Sequence, residues 1–115
     1  MIFEDGDVVA RMSARRSSDG VDLSWIGVRS SGARELRSVR VILFDDANGD
    51  LEPQPEEQLT RWSTQSPLPQ REFSVFASFS AENMKPEVMA RLRVFTEVGY
   101  VGPGVESVSE TRPLP

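Results

Sequence analysis

Apolar and polar residues alternate one by one along most of this 115-residue chain, and this alternation constrains the fold more than any other feature. The clearest run, Leu36–Phe44, places Val39, Val41 and Leu43 on one face. A repeat of two residues is that of a β-strand, because successive side chains of a strand point to opposite faces. We therefore expect strands with one buried face rather than helices.

Seven short runs separated by turn signals predict about seven strands. These runs begin at Val8, Val21, Leu36, Leu59, Phe73, Val88 and Val105. Sheets that each bury one face must close on one another, which predicts an all-β chain with an antiparallel β-sandwich of immunoglobulin-like architecture. A small barrel is the alternative closure. Pro67 and Pro69 are expected to break the fourth strand, because proline cannot donate a ladder hydrogen bond.

The second run changes phase in its middle. Val21, Leu23 and Trp25 are expected to share one face, whereas the apolar residues that follow fall on the other face. Gly27 stands at this change, and a glycine inside a strand indicates a β-bulge or a close approach of another group to the backbone.

The length and mass of the chain, 115 residues and 12.8 kDa, suit a single domain spanning residues 1–115. Residues 1–6 and 112–115 are expected to be frayed. The segment Met1–Asp5 lacks the basic and apolar regions of a secretory signal peptide, and no apolar run is long enough to span a membrane. The sequence as it stands indicates a cytoplasmic protein, or a module of a longer exported one.

The residue types that are missing exclude most common active sites. The chain has no cysteine and no histidine, which excludes disulfides, thiolate metal sites, cysteine nucleophiles and triads that contain histidine. Its formal charge of −5 argues against nucleic-acid binding, which normally needs a basic face. We therefore expect no enzymatic activity, and calcium is the one cofactor that the sequence suggests.

That suggestion comes from an acidic segment, Asp46–Glu57, in which positions 1, 3, 5, 9 and 12 all carry oxygen-bearing side chains. Calcium takes six to eight oxygen ligands, and alternate residues of a tight turn can supply them from one side. The predicted ligands are Asp46, Asn48, Asp50, Glu52 through its carbonyl, Gln54 and Glu57. Leu51 occupies a position where glycine usually permits a left-handed turn, at a cost of about 1–2 kcal/mol. The alternative is a solvated acidic loop whose charge is offset by Arg61.

Residues Val39–Leu59 resemble the strand and acidic loop of bacterial immunoglobulin-like surface modules, in which a strand runs into an Asp-x-Asn-Gly-Asp loop that holds calcium. This resemblance implies a sandwich with a calcium-stiffened loop and nothing catalytic.

Arginine and aromatic residues form a second candidate site. The predicted protein interface consists of Arg40, Ile42, Phe44, Arg91, Arg93 and Phe95, because arginine and aromatic residues are enriched at interfaces. Cation–π pairs between neighbouring strands explain the same residues without a partner.

The expected partner is another protein or a second copy of the chain. A small-molecule ligand is not expected. A carbohydrate-binding module that uses Trp25 or Trp62, and a small structural or assembly subunit, are the alternatives.

Overall fold

A computed structural model describes residues 1–102 and 107–115, which form two antiparallel four-stranded sheets packed face to face. The strands are β1 (Phe3–Asp5), β2 (Val8–Arg16), β3 (Val21–Ser30), β4 (Leu36–Asp45), β5 (Gln58–Gln70), β6 (Glu72–Ala81), β7 (Leu92–Tyr100) and β8 (Ser107–Pro113). The first sheet has the order β1-β2-β3-β6 and the second has the order β5-β4-β7-β8. The predicted antiparallel β-sandwich is confirmed, and the described residues form eight strands in place of about seven.

The core lies between the two sheets and is built by the alternation seen in the sequence. Val39, Val41 and Leu43 of β4 face inward and are at most 2% exposed. They meet inward residues of the first sheet such as Leu23 and Val28. Burying a side chain of this size stabilises the fold by about 1.5–3 kcal/mol, so this apolar layer holds the sheets together.

A bulge in β3 overturns one prediction about which residues share a face. The register between β3 and β6 shifts between Leu23 and Trp25, and this shift turns the Trp25 side chain to the outer face of the first sheet. The Trp25 ring covers Gly27, where an added Cβ would come within 2.2 Å of the ring. The predicted close approach at Gly27 is therefore confirmed, and the bulge lies at Ser24 instead.

Both ends of the chain contribute to the core, which corrects the expectation that they are frayed. Ile2 and Phe3 have no exposed surface, and the short strand β1 pairs with β2. Leu114, just beyond β8, is only 4% exposed. These apolar side chains tie the terminal segments to the sandwich.

Two further boundaries differ from the sequence prediction. Strand β5 continues through Pro67 and Pro69, which is tolerated because β5 is an edge strand and needs no ladder bonds on its outer side. The run that is predicted to start a strand at Val88 begins instead with a short helix, α1 (Pro86–Arg91), with proline in its first turn.

None of the described helices is long and apolar enough to cross a membrane. The predicted start of the last strand, at residue 105, lies outside the described residues.

The sandwich is closed along one side by contacts between β1 and the second sheet. The Tyr100 hydroxyl donates to Asp5 Oδ2 at 2.9 Å, and Arg34 Nη1 lies 2.8 Å from the same oxygen. These two hydrogen bonds, that from Arg34 foremost, lower the pKa of Asp5 below its ordinary value. The opposite side, between β5 and β6, holds a cavity of about 220 Å³ lined partly by Met12, Trp62 and Phe79.

Candidate metal-binding loop

The loop between β4 and β5 brings three carboxylates together. Asp46, Asp50 and Glu57 each offer an oxygen, and these oxygens all lie within 4.8 Å of one another. Asp46 follows the end of β4, whereas Glu57 closes a single 3-10 turn, Pro55–Glu57, directly before β5. The two residues are only 5% and 8% exposed, so the ends of the loop are fixed against the sandwich. Asp50 stands between them on the exposed part of the loop.

Backbone N–H groups of the loop orient these carboxylates. The N–H of Leu51 donates to both oxygens of Asp46, at 3.2 and 3.3 Å. The N–H of Gln54 donates to Glu57 Oε1 at 3.1 Å. The pKa of Asp50 is lowered, chiefly by the hydrogen bond that the N–H of Glu52 donates to it. The bonds to Asp50 favour its charged form, which is the form that binds a cation.

The other predicted ligands lie beside this cluster, with their polar groups engaged elsewhere. Asn48 Oδ1 accepts the N–H of Asp50. The side-chain amides of Asn48 and Gln54 both donate to Asp50 Oδ2 at 3.1 Å. The carbonyl of Glu52 accepts the N–H of Gln54 at 3.0 Å. The structure thus places three of the six predicted ligands around one point, and the two amides would have to rotate to add their oxygens.

Leu51 adopts the left-handed turn that its position in the loop requires. Its φ of 62° lies in the region that glycine usually occupies, and its side chain is half exposed. The bond from Leu51 N–H to Asp46 helps to hold this turn, and the Leu51 carbonyl accepts the hydroxyl of Thr111 at 2.9 Å. Contacts at both ends of this residue thus offset the conformational cost anticipated from the sequence.

The bond to Thr111 shows where the loop lies, because Thr111 belongs to β8. Thr111 is paired with Phe95 of β7, and Phe95 is paired with Ile42 of β4. The loop therefore reaches across the outer face of the second sheet. Ile42 and Phe44 point to this face, outside the core between the sheets, yet they are only 3% and 0% exposed. An outward side chain is buried only where another part of the chain covers it. Because the loop crosses this face, we infer that it covers Ile42 and Phe44.

Arg91, rather than Arg61, is the cation that binds next to the loop. Its Nε and Nη2 donate to the two oxygens of Asp45 at 2.8 and 2.9 Å, a bidentate pair at the end of β4. This bond to Asp45 raises the pKa of Arg91, and the charges of Glu87 and Glu57 raise it further. Arg61 is exposed opposite Ile42, and within the described part of the chain no ion pair joins an arginine to the three converging carboxylates.

The predicted interface residues fall largely on the same outer face. Arg40 lies 3.3 Å from Glu97, and its guanidinium stands 5.4 Å from the centre of the Phe95 ring. Arg93 faces the same side but donates to main-chain carbonyls, including that of Leu92 at 2.9 Å. Since Ile42 and Phe44 are buried and Arg91 binds Asp45, the groups left on the surface are Arg40, Arg93 and Phe95.

The two tryptophans have different environments. Trp62 is partly buried and packs against the core between the sheets. Trp25 lies on the outer face of the first sheet, where its Nε1 donates to Ser74 Oγ at 2.7 Å. Beside it is a shallow depression of about 420 Å³, which Arg11 and Arg29 also line.

Comparison of the chain with protein-family models, with curated proteins and with solved structures found no match in any of the three. The fold class is therefore assigned from the order and pairing of the strands in the two sheets.

Proposed function

We propose that this chain is a non-catalytic β-sandwich module that binds another protein, and that its Asp46–Glu57 loop binds calcium. The observation that carries the proposal is the convergence of three carboxylates from the start, middle and end of one loop. Clustered carboxylates repel one another, and a cation at their centre relieves that repulsion. The resemblance to bacterial immunoglobulin-like modules supports the same function.

The geometry of the cluster suits calcium. Calcium binds oxygen ligands at about 2.3–2.6 Å, so two of its ligands on opposite sides stand about 4.6–5.2 Å apart. The oxygens of Asp46, Asp50 and Glu57 lie within 4.8 Å of one another, which is inside that limit. The carbonyl of Glu52, the rotated amides of Asn48 and Gln54, and water would complete the shell.

Calcium would act through the position of the loop. The loop crosses the outer face of the second sheet and is bonded to Thr111 at its far side. An ion that joins the two ends of the loop to Asp50 would restrict its motion and hold the neighbouring surface, with Arg40 and Phe95, in one shape. A surface that is ordered before binding loses less entropy when a partner protein docks.

Thermal unfolding with and without calcium tests the site. At a calcium concentration tenfold above the dissociation constant, binding stabilises the folded chain by about 1.4 kcal/mol. We expect this to raise Tm by about 5 °C in a domain of this size. Asp50→Asn should abolish the rise, because it removes one carboxylate from an exposed position without disturbing the core.

The matched control is Glu56→Gln, which removes the same charge from an exposed neighbour of Glu57 outside the cluster. This variant should keep the calcium-dependent rise. An equal Tm in millimolar calcium and in chelator would overturn the calcium site, and so would an undiminished rise in Asp50→Asn.

A carbohydrate-binding module is the second candidate, and the position of Trp25 favours it. The Trp25 ring covers Gly27 on the outer face and lies beside polar side chains, and a sugar ring can stack on an aromatic ring in such a place. Titration with glycans should then quench tryptophan fluorescence in the wild type and in Trp62→Phe, but not in Trp25→Phe. No quench in the wild type would remove this candidate.

A further inference from the structure

Strand β6 differs from the other edge strands in that its free edge has almost no protection. It ends the first sheet, and no described strand pairs with its outer side. Its ten residues carry one charge, Glu72, and no proline. By contrast, β5 contains Arg61 and two prolines, β8 contains charged residues and a proline, and β1 has three residues. Edge strands usually carry charges or prolines because an unprotected edge pairs with other chains.

The sequence of β6 is close to a palindrome. From Phe73 to Phe79 it reads Phe-Ser-Val-Phe-Ala-Ser-Phe, with Phe76 at the centre. Two antiparallel copies of such a strand place like residues opposite each other about a two-fold axis. Phe73 would face Phe79 of the second copy, Ser74 would face Ser78, and Phe76 would face itself.

The side chains of β6 agree with this pairing on both faces of the sheet. Phe73, Ala77 and Phe79 point inward and are partly buried against the core. Phe76 points outward and is 87% exposed, more than any other large apolar side chain described. Pairing about Phe76 would place apolar residues opposite apolar residues on the inner face. It would also bring the two exposed Phe76 rings together on the outer face, and aromatic cross-strand pairs stabilise antiparallel sheets.

We infer that β6 is a dimerisation edge, at which a second copy of this chain pairs antiparallel with the first about Phe76. The two first sheets would then form one continuous eight-stranded sheet across the two-fold axis. The occupant is a second copy because the strand complements its own reversed sequence and carries no charge from Phe73 to Ala81 that would meet its like. The inference does not depend on calcium, because the acidic loop lies on the other sheet.

Single cysteines test the pairing and its register, since the natural chain has none. In Phe76→Cys the two thiols should face each other, with Cβ atoms about 4.5–5.5 Å apart, and mild oxidation should yield a disulfide-linked dimer. In Ser74→Cys each thiol should face Ser78 of the second copy. The two thiols would then lie about 14 Å apart along the strands and should not cross-link. Both positions are exposed, and Ser74→Cys loses only the surface bond from Trp25 Nε1, so we expect both variants to fold.

Light scattering during size exclusion supplies the second measurement. The wild type should show a dimer at high concentration, in calcium and in chelator alike. Phe76→Glu alone and Phe76→Lys alone should be monomers, because like charges would meet at the axis, and an equal mixture of the two should regain the dimer. Leu68→Glu, an exposed change on β5, should leave the dimer intact. A wild type that stays monomeric, or equal cross-linking of the two cysteine variants, would overturn the inference.

Discussion

Replacing Phe44 with alanine is expected to lower the free energy of unfolding by about 3–5 kcal/mol, the usual cost of removing a fully buried aromatic ring. Phe44 has no exposed surface although it points away from the core between the sheets. The acidic loop crosses this face to Thr111, and we expect it to cover the Phe44 ring. The large effect would show that the loop is a packed part of the fold. Urea unfolding measures the change directly.

Phe76→Ala is the matched control, because it removes the same atoms from a strand position that is 87% exposed. In a dilute, monomeric sample its effect should stay within about 0.5 kcal/mol. If Phe44→Ala does not fold, Phe44→Leu gives the same comparison at an expected cost of about 1–2 kcal/mol. A loss below about 1 kcal/mol for Phe44→Ala would contradict this prediction and would mean that the loop does not pack on the Phe44 ring.

The sandwich could be predicted from the sequence because alternation is a local property that directly reflects which side of a strand is buried. Leu36–Phe44 shows this well, since β4 lies where the pattern put it. The bulge at Ser24 could not be predicted in the same way. One extra residue reverses the faces after it, and whether a strand contains such a residue depends on its partners, here β2 and β6.

The candidate site was predictable to a similar degree. The spacing of Asp46, Asp50 and Glu57 indicated that a turn would bring them together, because these residues are close in sequence. Backbone N–H groups of the same loop orient the carboxylates of Asp46 and Glu57. The sequence could not show that the loop crosses the sheet to Thr111, 60 residues from Leu51. Nor could it show which arginine lies beside the loop, because strand order decides that.

The start of the chain is the clearest case of a segment that sequence patterns understate. Strand β1 has three residues, Phe-Glu-Asp, too few to show a repeat and mostly charged. Yet Ile2 and Phe3 are completely buried, and Asp5 binds Arg34 and Tyr100. A short edge strand can therefore contribute more to the core than its sequence indicates, because one well-placed aromatic ring outweighs several exposed polar neighbours.

Phe3→Ala is accordingly expected to lower the free energy of unfolding by about 3–5 kcal/mol, since the cavity would open within the closed side of the sandwich. Glu4→Ala, at the next position of the same strand, should change it by at most about 0.5 kcal/mol, because that side chain is exposed and its backbone bond to Glu110 remains. Urea unfolding of both variants at an unchanged m-value measures the difference. Equal, small effects at the two positions would instead describe a frayed terminus, and β1 would then add nothing to the stability of the fold.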